Sequence, residues 1–223
     1  LLLTGCGARS RHTLLPHAAT NQHSVGNYCD EYKYIKNHGC VTRRRVQGGD
    51  APAVCASSCV ERTRAALGGV SLTLYYAPTA SVLEATTSSG PPQWQVRNGE
   101  SPVFLVCNSG LPAPQCVVVD AQDDPHGSTM TSYSISGKAL QPASSIWSAS
   151  SEPSVSDLNG DGYLDATTLE QSGERPSGQA GQVYWQTYLF NGHALVSSGC
   201  GAKRTMSDLG PRPTKPEAGR CPH

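Results

Sequence analysis

Asp157-Leu158-Asn159-Gly160-Asp161-Gly162-Tyr163-Leu164-Asp165 sets an oxygen donor at every second position. Asp157, Asn159, Asp161 and Asp165 each carry a side-chain oxygen, and Tyr163 adds its backbone carbonyl. A loop wraps a hard cation with this alternation. Gly160 and Gly162 permit the tight turning that brings the oxygens together. Three aspartates within nine residues repel one another when no cation is present. The stretch therefore reads as a calcium loop rather than as an Asx/Gly-rich surface turn.

The flanks decide the fold around it. An EF-hand fits the first half, with Gly162 at the sixth place, but its twelfth place needs a bidentate glutamate and holds Thr168. Helices should flank an EF-hand loop. Instead Leu164-Asp165-Ala166-Thr167-Thr168-Leu169 is strand-like, and Ser148 to Ser156 is a serine-rich loop with Pro153. The nine residues resemble the calcium loop of FG-GAP (VCBS-type, integrin-like) β-propeller repeats, D-x-N-G-D-G-x-x-D, at every position of the pattern. The resemblance implies calcium as the cofactor, a loop leading into an inner strand over residues 164–169, and a hairpin at Asn191-Gly192 closing the same blade.

Composition points the same way. Gly (23) and Pro (16) are frequent and charged residues are 15%, which favours turn-rich β structure over long helices. Seventeen basic and seventeen acidic residues balance, so charge makes no case for nucleic acid or an anionic membrane surface. No apolar run approaches a membrane span. Nine cysteines favour disulfides and an oxidising compartment. A zinc reading lacks paired C-x2-C knuckles, since three residues separate Cys55 from Cys59.

The odd cysteine has its own explanation. Leu3-Thr4-Gly5-Cys6 resembles a bacterial lipobox, which implies lipid attachment at Cys6, a lipid anchor as the sole membrane contact, and export to the cell envelope or beyond. The other eight, Cys29, Cys40, Cys55, Cys59, Cys107, Cys116, Cys200 and Cys221, are then free to form disulfides.

Four segments follow along the chain. Residues 1–26 are the signal remnant and a polar tether. Residues 27–69 form a small cysteine-rich unit with one short helix over Ser57 to Leu67, capped by Ser57 or Ser58 and stopped by Gly68. A nested pairing, Cys29 with Cys59 and Cys40 with Cys55, would staple that helix, although spacing alone leaves connectivity open. Residues 70–199 form the β domain, with Cys107 and Cys116 paired between two strands and Asn98-Gly99 as a hairpin turn. Residues 200–223 are a proline-rich tail pinned by Cys221, with Cys200 its nearest partner.

Within the β domain the sequence echoes itself. Tyr133 to Leu140 shares Tyr, Gly, Ala and Leu with Tyr188 to Leu195, fifty-five residues on, and Tyr75 to Leu83 offers a longer third copy. In Val183 to Phe190, Val183, Trp185 and Leu189 lie on one face and Tyr184, Tyr188 and Phe190 on the other, so both faces need covering. The expected fold is mainly β: blade-like antiparallel units, as a partial propeller or a compact β domain.

No G-x-S-x-G, H-E-x-x-H or S-x-x-K motif is present. His126 and His193 have no partner in the sequence, and Asp120, Asp123 and Asp124 read as a solvated loop in preference to an acid/base pair or second cation site. The reading is of a binding or assembly module, more a non-enzyme than an enzyme, with a protein or glycan partner at the cell surface and no nucleic acid. Alternatives are a secreted hydrolase with a structural calcium, or a subunit of a surface filament or secretion apparatus.

Overall fold

The computed structural model describes residues 27–29, 40–42, 51–55, 59–122, 127–137, 139–149, 153–172 and 181–222. The chain is mainly β. Strands β1 (Asn27–Cys29) and β2 (Cys40–Thr42) pair antiparallel. Three four-stranded antiparallel sheets follow. Sheet 1 holds β3 (Val60–Leu67), β4 (Val70–Ala77), β5 (Ala80–Thr87) and β6 (Gln93–Asn98). Sheet 2 holds β7 (Glu100–Cys107), β8 (Gln115–Gln122), β9 (Ser128–Ser136) and β10 (Ala139–Ser148). Sheet 3 holds β11 (Ser154–Ser156), β12 (Asp165–Ser172), β13 (Gln182–Phe190) and β14 (Leu195–Cys200). In each sheet the strands neighbour one another in chain order.

Sheet 2 is packed on both sides. Side chains alternate across a strand, so Cys116 and Val118 of β8 face one way and Val117 and Val119 the other. Cys116 and Val118 join Tyr133, Ile135 and Leu140 against Val70, Leu72, Leu74, Leu83 and Ala85 of sheet 1. Val117, Val119 and Met130 meet Leu164, Ala166, Phe190 and Leu195 on the sheet 3 side. The unbroken run Val117-Val118-Val119 is thus what a strand without a solvent face requires.

Both ends of the stack are covered by irregular chain. Ala51, Val54, Cys55 and Cys59 pack with Tyr75, Ala77, Val82 and Trp94 on the far face of sheet 1. The tail covers the far face of sheet 3. Val183 and Arg204 exchange two backbone hydrogen bonds, Trp185 Nε1 donates to the Gly210 carbonyl at 3.1 Å, and the Glu217 N–H donates to Thr187 Oγ1 at 2.8 Å. The Arg212 guanidinium lies 5.7 Å from the Trp185 ring centre. Strand β13, apolar on both faces in sequence, is covered on both.

Several sequence expectations change here. The helix expected over Ser57 to Leu67 is instead strand β3, the partner of β4. Its Glu, Arg, Ala and Leu residues favour a helix only weakly, whereas the buried strand β4 needs a ladder on each edge. The signal lay in Gly68-Gly69, both with positive φ, which form a two-residue hairpin turn rather than a helix stop. Sheet 1 therefore begins at Val60, inside the segment assigned to the cysteine-rich unit.

The disulfides are Cys55–Cys59, Cys107–Cys116 and Cys200–Cys221 among the described residues. The first excludes the nested pairing of Cys29 with Cys59 and Cys40 with Cys55. Instead Cys29 stands opposite Cys40 in the β1–β2 register. Asn98-Gly99 is not a hairpin turn within one sheet but the link from sheet 1 to sheet 2. Tyr133–Leu140 and Tyr188–Leu195 occupy matching places, the third strand and turn of sheets 2 and 3, while Tyr75–Leu83 runs from the second strand to the third of sheet 1. The tether and Cys6 lie outside the described residues.

Candidate metal loop and its anchorage

The Asp157–Asp165 stretch joins β11 to β12. It turns twice through glycines, with φ of 80° at Gly160 and 88° at Gly162. Leu158 and Leu164 are buried and point the loop inward, while Asp157, Asn159 and Asp161 are exposed at its rim. The Asp157 carboxylate accepts the N–H groups of Gly160 at 2.7 Å and Gly162 at 2.9 Å. Asn159 Oδ1 accepts from Asp161 N at 3.1 Å, and Asp161 Oδ1 from Tyr163 N at 2.8 Å. Asn159 Nδ2 donates to Asp161 Oδ2 at 2.8 Å.

Asp165 lies beneath this rim and is fully buried. Its two oxygens accept the N–H of Leu158 and the N–H of Phe190, each at 2.9 Å, tying the start of the loop to the end of β13. Burial pushes its carboxyl above the usual range, with the charges of Asp161 and Asp157 adding to the effect; the Phe190 and Leu158 amides pull it down.

Two side chains hold the loop in place, Gln115 at the start of β8 and Asn108 in the β7–β8 loop of sheet 2. Gln115, fully buried, accepts from Leu164 N at 2.6 Å and donates to Leu164 O at 3.0 Å, so one amide satisfies both backbone groups of that residue. Its Nε2 also donates to Ser132 Oγ at 3.1 Å. Asn108 Nδ2 donates to Gly162 O at 3.1 Å and to Ala113 O at 2.8 Å within its own loop. The contact is close: a Cβ on Gly162 would lie 2.7 Å from the Leu111 carbonyl oxygen. Sequence reading missed both anchors, since a polar residue at a strand end looks like ordinary loop chemistry. The one available signal was their place, flanking the loop that the Cys107–Cys116 bond closes.

The donor set suits a hard cation in kind: every side-chain donor is oxygen. An ionised carboxylate has about four acceptor sites, and each Asp157 oxygen uses one on an amide. Capacity therefore remains at the exposed rim. No carboxylate of the loop pairs with a cationic side chain among the described residues. The oxygens are nevertheless aimed at turn amides, and among the described residues no group of three or more His, Cys, Asp or Glu is disposed to hold a metal ion.

The other candidates scatter. His193 is exposed, with its N–H on Asn191 Oδ1 at 3.0 Å. Asp120 is not on a solvated loop: it is fully buried in β8, where Arg97 pairs with it at 2.6 Å. Its place after three valines put it in the strand rather than beyond it. Asp123, Asp124 and His126 lie outside the described residues. Comparison with family models, with curated proteins and with solved structures finds no match.

The two glycines give a differential test. Gly160→Ala forces an L residue into the left-handed region with open space around its Cβ, at a cost of roughly 1–2 kcal/mol. Gly162→Ala adds a clash with Leu111, worth about 1–3 kcal/mol more. Urea unfolding of both variants should show Gly162→Ala as the less stable; equal losses would mean the loop does not press on sheet 2.

Proposed function

We propose that this chain is an exported, calcium-stabilised, disulfide-rich β module that binds or assembles with a partner at the cell surface. One observation carries the reading: the D-x-N-G-D-G-x-x-D loop is anchored by Asn108 of the β7–β8 loop and Gln115 of β8 while it leads into sheet 3. A cation on Asp157, Asn159, Asp161, Asp165 and the Tyr163 carbonyl would fix the seam between two sheets. Its role is then structural. It holds the relative placement of sheets whose exposed turns are available to a partner.

Each four-stranded meander is, in this proposal, a blade-like unit akin to the FG-GAP repeats. The matching places of Tyr133–Leu140 and Tyr188–Leu195 in successive sheets support repetition. Cover on the far faces of sheets 1 and 3 supports an open stack of blades in place of a closed ring. The three disulfides among the described residues are compatible with export, and no helix among those residues is long and apolar enough to cross a membrane. Lipidation at Cys6 completes the proposal, with more than one acyl chain needed for stable anchoring.

Calcium added to chelated protein should raise the melting temperature, by roughly 5 °C or more at a hundredfold excess over its dissociation constant. Magnesium, which demands a stricter octahedron, should raise it less. Asp161→Ala should abolish the difference, because it removes a rim oxygen without touching either apolar core. An unchanged melting curve would reduce the loop to a hydrogen-bonded turn. Mass spectrometry of the native amino terminus should find acylated Cys6; an unmodified chain retaining residues before Cys6 would rule out the anchor.

A further inference from the structure

The contact between sheets 1 and 2 holds a buried charged cluster beside the Asn98-Gly99 link. Arg97 on β6 reaches across to β8, where Nε donates to Asp120 Oδ2 at 2.6 Å and Nη2 to Oδ1 at 3.2 Å. Nη2 also donates to Ser81 Oγ on β5 and Nη1 to the Tyr133 hydroxyl on β9, both at 2.7 Å. A second carboxylate stands at the start of β7, with Glu100 Oε2 3.4 Å from Arg97 Nε. Asp120 is fully buried, and the Arg97 and Glu100 side chains are 13% and 16% exposed. Glu100 Oε2 is itself buried and has no hydrogen-bond partner.

Two carboxylates thus share one guanidinium in a place with little water. Arg stays charged at every relevant pH. The other neighbours bring no positive charge: Ser81 and Thr129 are neutral, and burial pushes the Tyr133 phenol up, so it stays protonated. If both acids ionise, one negative charge is left without a counter-charge. Crowded buried carboxylates resolve this by keeping a proton.

We propose that the Arg97–Asp120–Glu100 cluster is a proton-holding joint: one proton stays between Glu100 and Asp120, and its loss as pH rises weakens the contact between sheets 1 and 2 beside the Asn98-Gly99 link. Burial, with Asp120 the next cause, raises the Glu100 carboxyl. Burial raises Asp120 as well, against the pull of Arg97. With both folded values raised, the folded chain holds more protons than the unfolded one. The associated stability is complete below the ordinary carboxylate value of about 4 and is lost as pH rises through the raised values.

Glu100→Gln tests the joint, because an amide can donate to Asp120 as the protonated acid does yet cannot ionise. Thermal melts in chelator from about pH 5 to about pH 7.5 should show the wild-type melting temperature falling by about 3 °C more than that of the variant. Carbon-13 carboxyl NMR of the wild type should show Glu100, assigned through bonds, titrating above the ordinary carboxylate range. Parallel melting profiles, or a Glu100 carboxyl titrating in the ordinary range, would overturn the proposal. The wild-type titration decides the matter alone if the variant does not fold.

Discussion

Sheet 2 has no solvent face at its centre, and the rest of the chain answers that constraint. Val118 needs apolar cover from one side and Val117 and Val119 from the other. Sheets 1 and 3 supply it, and each is then left with a far face of its own. A closed ring would cover those faces with further sheets. Here a short segment around the Cys55–Cys59 bond covers one, and the tail tied by Cys200–Cys221 covers the other. Disulfides suit this work, because such covers bury too little apolar surface to hold themselves.

The two seams on either side of sheet 2 differ in chemistry. The seam with sheet 1 is closed by a buried ion cluster in which Arg97 serves two carboxylates. The seam with sheet 3 is closed by amides: Gln115 pairs with both backbone groups of Leu164 and Asn108 holds the Gly162 carbonyl. In the proposals made above, one seam responds to protons and the other to a divalent cation. In both, the polar groups lie at the edge of an apolar contact and fix its register while the apolar side chains supply most of the attraction.

Strands with a strong period were legible in the sequence. Val70 to Tyr76, Val103 to Cys107, Cys116 to Asp120 and Val183 to Phe190 all alternate or run apolar, and all are strands. So was the Cys107–Cys116 bond, because two strand ends met across a short loop. Strand β3 was not, since Glu61, Arg62, Arg64, Ala65 and Ala66 carry helical preference and only the pairing with β4 overrides it. The nine-residue loop announced its own oxygens but not its anchors. Arg97, Gln115 and Asn108 act at separations of 23 to 54 residues, which no local pattern encodes.

In the proposed role, a cation in the Asp157–Asp165 loop fixes the seam between sheets 2 and 3. Amide hydrogen exchange with and without calcium measures this directly. Calcium should slow exchange at Gly160, Gly162 and Tyr163 and, together with them, at Gly110 and Gln115 across the seam, whose N–H groups Asn108 holds. Exchange unchanged by calcium, or slowed in the loop alone with no response at Gly110 and Gln115, would contradict it.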